Sequence, residues 1–130
     1  MRKHGLSIAA ILGFLTVALG AFAAHMLKDR LDDYEIGVWE KAVRYQMFHV
    51  LALAWAAHVS RSGKTLSLIA AWSFLGGIFL FCGSLYLLAG TGVRAWGAVT
   101  PVGGIAFLIG WLCLAIDALR SPAPDASNNR

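Results

Sequence analysis

Four stretches without a charged side chain, residues 5–26, 45–60, 65–93 and 95–116, account for most of the chain. At about 1.5 Å of rise per residue, a helix over the first is roughly 30 Å long and can cross the hydrocarbon core of a bilayer. The second run, of 16 residues, is short for a span. It reaches the needed length if its helix begins near Trp39 and the stems of Lys41 and Arg44 snorkel to the interface. The third is long enough to hold a turn, beginning at Gly90, Thr91 and Gly92, and Arg94 closes a short loop into the fourth. With 58% hydrophobic and 14% charged residues among 130, the chain has room for one domain and far more apolar surface than a water-soluble core requires. The expected fold is therefore all-α, an integral membrane bundle of four transmembrane helices over residues 1–120, followed by a disordered polar tail over 121–130 that contains Pro122 and Pro124.

The net charge of +4 does not point to nucleic acid, because the Lys and Arg residues fall in short clusters between apolar runs, as in membrane topology. Arg2, Lys3, Arg61, Lys64, Arg120 and Arg130 fall on one side; Lys28, Arg30, Lys41, Arg44 and Arg94 fall on the other, interleaved with acidic residues. The free amino terminus adds to the first side, so cytoplasmic termini are expected. Arg2, Lys3 and His4 before an apolar stretch resemble a signal peptide, but the 22-residue run exceeds an ordinary h-region, and a retained first helix is expected. Cys82 and Cys113 lie inside apolar runs and read as small hydrophobes rather than a disulfide pair.

Ile36, Trp39, Val43 and Met47 have helical apolar spacing in the long polar connection, which predicts a short interfacial helix between helices one and two. Trp39 and Trp96 are then either interface anchors or packing aromatics. Glycines recur every seven residues, at Gly13 and Gly20, Gly76, Gly83 and Gly90, Gly97 and Gly104, and Gly103 and Gly110. Small residues on one face let helices approach closely where lipid gives no hydrophobic drive. The spacing allows those faces to meet within one chain or against a second copy or another membrane protein.

With alternating spans, polar residues from all four helices share the outer leaflet: His25, Tyr45, Gln46, His49, Ser84, Tyr86 and Thr100, with Pro101 in the first turns of helix four. A polar group in hydrocarbon needs a partner, so a hydrogen-bonded cluster is expected. It serves either as a latch fixing helix register or as a small site for a proton, metal ion or polar headgroup. Ala42 and Ala56, seven residues either side, place His49 on an interior face. His4 and His58 fall near the opposite interface, and Asp117 is expected to be solvated or paired with Arg120. No metal-ligand spacing, paired carboxylate, Ser-His-Asp or Cys-His pattern is visible, so neither an enzyme nor a bound cofactor or metal is expected.

Three blocks occur in order: GAFAAHML at 20–27, WEKAVRYQMFHVLAL at 39–53, and GSLYLLAGTG with TPVGGIAFLIGW across 83–111. With them the chain resembles the small membrane-protein family catalogued as domain of unknown function 423, which is also similar to the eukaryotic transmembrane protein 256. Ala23 stands where that family's GAFGAH block has glycine. The resemblance implies a four-helix bacterial inner-membrane protein without an established biochemical activity, and it places all eight polar-cluster and Pro101 positions inside the motif blocks. A membrane-integrity or accessory component is the expected role, with a carrier or binding protein for a proton, metal ion or lipid headgroup as the alternative.

Overall fold

The computed structural model describes residue 1 and residues 3–120. The expected disordered tail, 121–130, lies outside the described residues. All regular structure among them is helical: α1 (Gly5–Leu27), α2 (Asp33–Ser60), α3 (Thr65–Thr91) and α4 (Thr100–Arg120), with a single short turn of 3₁₀ helix at Arg94–Ala98. α1 ends in a widened π turn at Ala23–Leu27, and α3 contains another at Ile78–Cys82. Gly92 stops α3 in the left-handed conformation, φ +69°, at the turn that the glycine pair foretold.

α1, α3 and the segment Arg94–Arg120 are each long and apolar enough to cross a membrane. α2 is not: even its least charged end, residues 43–60, carries Arg44, Tyr45, Gln46, His49 and His58 among its apolar residues. It begins at a capping box: the Glu35 N–H donates to Asp32 Oδ1 at 2.7 Å, and the Asp32 N–H donates to Glu35 Oε2 at 3.1 Å. Asp33 and Glu35 also lie where the helix dipole favours negative charge. No proline follows, so the expected separate interfacial helix is instead the start of one continuous 28-residue rod. Its length is about 42 Å.

The helices pack in chain order, α1 on α2, α2 on α3, and α3 on α4. Along the first antiparallel pair, Gly5 lies against Ala57, Gly13 against Val50 and Gly20 against Val43. Along the last pair, Gly77 meets the Phe107 ring and Gly110 the Phe74 ring. At Gly103 a Cβ would stand 2.3 Å from the Phe81 backbone nitrogen. The glycine spacing therefore marks close approach at Gly13, Gly20, Gly103 and Gly110. It does not at Gly76, Gly83, Gly90 and Gly97, where an added Cβ would meet nothing within 4 Å. At these four positions no other described residue presses on the backbone. The core beneath the contacts is built from small residues, with Ala42, Ala56, Ala70 and Ala71 fully buried beside Leu53 and Phe74. Cys82 and Cys113 are free thiols.

Asp117 departs from its expected pairing with Arg120. It reaches across to α3, accepting a hydrogen bond from the buried Ser67 hydroxyl and lying 3.7 Å from the Lys64 ammonium. A carboxylate within a helix–helix contact gains more from a donor on the facing helix than from an exposed arginine on its own last turn, which water solvates.

The backbone contact at Gly103 sets the α3–α4 distance. Gly103→Ala is expected to destabilise the protein by about 1–3 kcal/mol, as overpacking does, whereas Gly104→Ala, whose Cβ would rest 3.8 Å from the Phe81 ring, is accommodated. Thermal unfolding in detergent of the two variants side by side checks this; equal midpoints would contradict it.

Candidate functional site

The sequence-selected polar residues fall into three hydrogen-bonded groups rather than one. In the first, Gln46 on α2 bridges two neighbours. Its Nε2 donates to the Leu12 carbonyl on α1 at 3.4 Å, and its Oε1 accepts from the Tyr86 hydroxyl on α3 at 2.9 Å. Thr16, also buried, donates to the same Leu12 carbonyl at 2.7 Å. One turn or two nearer the start of α2, the Trp39 indole N–H donates to the Leu19 carbonyl at 3.1 Å, and its ring meets Tyr86 edge-on at 4.7 Å. Trp39 is thus a packing residue, 9% exposed, and not an interface anchor. Trp96 stays exposed.

The second group centres on His49, which is 5% exposed. Nδ1 lies 2.8 Å from the Tyr45 carbonyl one turn earlier, and Nε2 lies 3.2 Å from the indole nitrogen of Trp111 on α4. A carbonyl only accepts and an indole N–H only donates, so the proton sits on Nδ1 and Nε2 presents its lone pair. Both partners are satisfied by the neutral ring alone; an imidazolium would aim a second N–H at the Trp111 donor. Phe107 stacks on the imidazole at 3.5 Å and 8°, while Phe74 closes one side. Trp111 lies one residue past the middle of Thr100–Arg120, so His49 meets α4 near that helix's midpoint.

In the third, Ser84 and Thr100 join the ends of α3 and α4 through their hydroxyls at 2.7 Å, and Ser84 also bonds the Phe81 carbonyl of the π turn at 3.0 Å. Pro101 occupies the first turn of α4, as expected. His25 is brought to none of these groups; it is exposed in the π turn that ends α1. Tyr45 contributes its backbone carbonyl and stacks on Phe81 at 4.6 Å, but its side chain is 41% exposed and its hydroxyl makes no hydrogen bond among the described residues. Within these groups, Thr16 and Trp111 are partners that the sequence reading did not single out. Both left a faint signal: Thr16 falls between Gly13 and Gly20, and Trp111 beside Gly110, on the turns where glycine marks close approach.

Among the described residues no buried side-chain nitrogen or oxygen lacks a partner, and no three His, Cys, Asp or Glu side chains gather where they could hold a metal ion. Chemically, the arrangement joins helices: α1 to α2 to α3 through Gln46, α2 to α4 through His49, and α3 to α4 through Ser84. Its surface carries open grooves along α2, one toward α1 and one toward α3 and Thr100 of α4, which share Glu40 and Arg44.

The two bonds of Gln46 make it the most consequential side chain of the set. In a double-mutant cycle in detergent, Gln46→Leu and Tyr86→Phe are expected to couple by about 0.6–1.7 kcal/mol, the range for interhelical hydrogen bonds in membranes. Additive losses would show that the bond contributes nothing.

Residues 19–104 match the family described as "Protein of unknown function (DUF423)". The chain is 44% identical over 113 residues to a UPF0382 membrane protein of Staphylococcus epidermidis, an alignment covering 87% of this chain and 93% of the relative. It is 40% identical over 115 residues to the UPF0382 membrane protein YwdK of Bacillus subtilis, covering 87% and 94%. To the UPF0382 inner membrane protein YgdD of Escherichia coli it is 44% identical over 118 residues, covering 88% of each. No solved structure matches.

Proposed function

The chain belongs to the DUF423 family of membrane proteins, and we propose that it is a non-catalytic, four-span accessory component of the bacterial inner membrane, with both termini cytoplasmic. The four-span arrangement requires α2 to cross as well. Its uncharged portion, residues 45–60, is flanked by Lys41 and Arg44, whose long side chains reach the interface while the buried face of α2 binds the apolar helices α1 and α3. Basic residues on the side of the termini, Lys3, Arg61, Lys64 and Arg120, are those expected to be retained in the cytoplasm.

The observation that carries the accessory reading is that Gln46, Tyr86, His49, Ser84 and Thr100 all find hydrogen-bond partners in one another, in Trp111 and in backbone carbonyls. A carrier or acid–base site keeps a polar group available to its cargo. Here the same atoms fix helix register, which is the latch role of polar residues in membrane bundles. The latch reading predicts that His49→Ala lowers the unfolding temperature in detergent, and that vesicles containing either protein take up protons, divalent metals and polyamines no faster than protein-free vesicles. Uptake abolished by His49→Ala in a protein that remains folded would replace this reading with a carrier. Reporter fusions at the two ends test the span count, the expected result being both reporters active in the cytoplasm; ends on opposite faces would remove α2 from the membrane.

A further inference from the structure

We propose that the groove that α2 lines with α3 and α4 is a binding site for one anionic phospholipid, its phosphate held by Lys41 and Arg44 and an acyl chain laid along Phe81, Phe107 and Leu108. The assignment rests on the four-span reading, which sets this groove at membrane depth.

The groove has two sections that meet at Tyr45 and Phe81. The upper one, about 720 Å³, is lined by Glu40, Lys41, Arg44 and Thr100, with Gly37 and Leu85, in addition to that pair. The lower one, about 480 Å³, is almost wholly apolar: beyond the pair it is lined by Phe107, Leu108, Ile105 and Gly104, with His49 and Trp111 at its floor. Both sections open sideways to the surroundings of the bundle. A polar, basic mouth above an apolar slot is the profile of a phospholipid seen from its headgroup down. From Lys41 to His49 is eight residues, so the slot runs about 12 Å below the basic lip. That places the lip at the phosphate level when the slot lies among acyl chains.

Charge selects the anionic headgroup. Neither Lys41 nor Arg44 has a carboxylate within ion-pair distance among the described residues. The lip carries Lys41 and Arg44 against the single carboxylate Glu40, +2 and −1, a net +1. Basic side chains at this height attract acidic lipid, and Arg can bind a phosphate through two N–H groups at once. Tyr45 stands at the junction with its hydroxyl unbonded among the described residues, able to donate to a phosphate or ester oxygen while its ring remains on Phe81. The latch described above uses none of these three side-chain heads. Gly104 adds a shape argument: lacking a side chain, it leaves the slot open beside the Phe81 ring.

Native mass spectrometry of the full chain from detergent, titrated with phosphatidylglycerol or with phosphatidylcholine of the same acyl chains, tests the site. One phosphatidylglycerol is expected to be retained in preference to phosphatidylcholine. Lys41→Gln with Arg44→Gln is expected to weaken its retention about 25-fold, from roughly fivefold per basic side chain at a membrane surface, with little change for phosphatidylcholine. Gly104→Leu fills the slot without touching the charge, and is expected to lower retention of both lipids. Equal retention of the two lipids by the unaltered protein, or phosphatidylglycerol retention unchanged in the charge variant, overturns the headgroup assignment. Retention unaffected by Gly104→Leu overturns the acyl slot, and displacement by inorganic phosphate at the concentration at which phosphatidylglycerol saturates would make the ligand a free anion. Because the reporter fusions read span count independently, a lipid result of either sign is separable from a failure of the four-span arrangement.

Discussion

A polar side chain shut away inside a helix bundle must find its partner there, and that constraint fixes much of the interior of this protein. Gln46 has a donor and an acceptor to satisfy on one small amide, and it does so by facing two helices at once, the Leu12 carbonyl on α1 and the Tyr86 phenol on α3. To keep both within reach, α2 must sit between α1 and α3 at one register. The direct contacts of Gly13 with Val50 and Gly20 with Val43 then follow from that register, as does the bond from Trp39 to Leu19. His49 repeats the logic toward α4, one ring nitrogen serving its own helix and the other accepting from Trp111.

The packing that surrounds these bonds is made by removing side chains rather than by adding large ones. At Gly103 the backbone of α4 comes so near Phe81 that no β-carbon fits, and the π turn at Ile78–Cys82 lies in the same stretch of α3. Close backbone approach gives dispersion contact where burial of apolar surface gives little, since lipid tails are as apolar as leucine. In turn it brings the Phe107 ring flat onto His49. The polar latch and the glycine contacts are thus one device: each fixes the distance that the other needs.

The helical fold was legible in the sequence because uncharged runs and their bounding Lys, Arg and Gly residues carry it locally. The turn at Gly92 was legible for the same reason, since a left-handed residue there calls for glycine. What stayed hidden depends on contacts across the fold. The heptad glycines look alike in sequence, yet only those facing another helix work as contacts, and nothing local separates Gly103 from Gly83. Shared depth put Gln46, Tyr86, Ser84 and Thr100 in one expected cluster, which the structure divides into separate bonds, Gln46 with Tyr86 and Ser84 with Thr100, and depth says nothing about rotation about the helix axis. That is why His25 points away, Tyr45 turns outward, and Asp117 finds Ser67 instead of Arg120. The capping box at Asp32 and Glu35 was readable as a pattern, and it shows why the amphipathic segment after it belongs to α2 rather than to a helix of its own.

Because each helix rests mainly on the one before it in the chain, the molecule can be put together in the order in which a ribosome delivers it. α1 and α2 close as a hairpin over Leu12 and Leu19; α3 then docks on a surface already complete; α4 arrives last. Contacts between sequence neighbours keep the loops to be closed short, which favours rapid assembly. The contacts of α4 with α2 are the exception, the Trp111 bond to His49 and the Phe107 ring on the same imidazole joining residues 62 and 58 apart, so His49 gains its second hydrogen bond only when the last helix is in place.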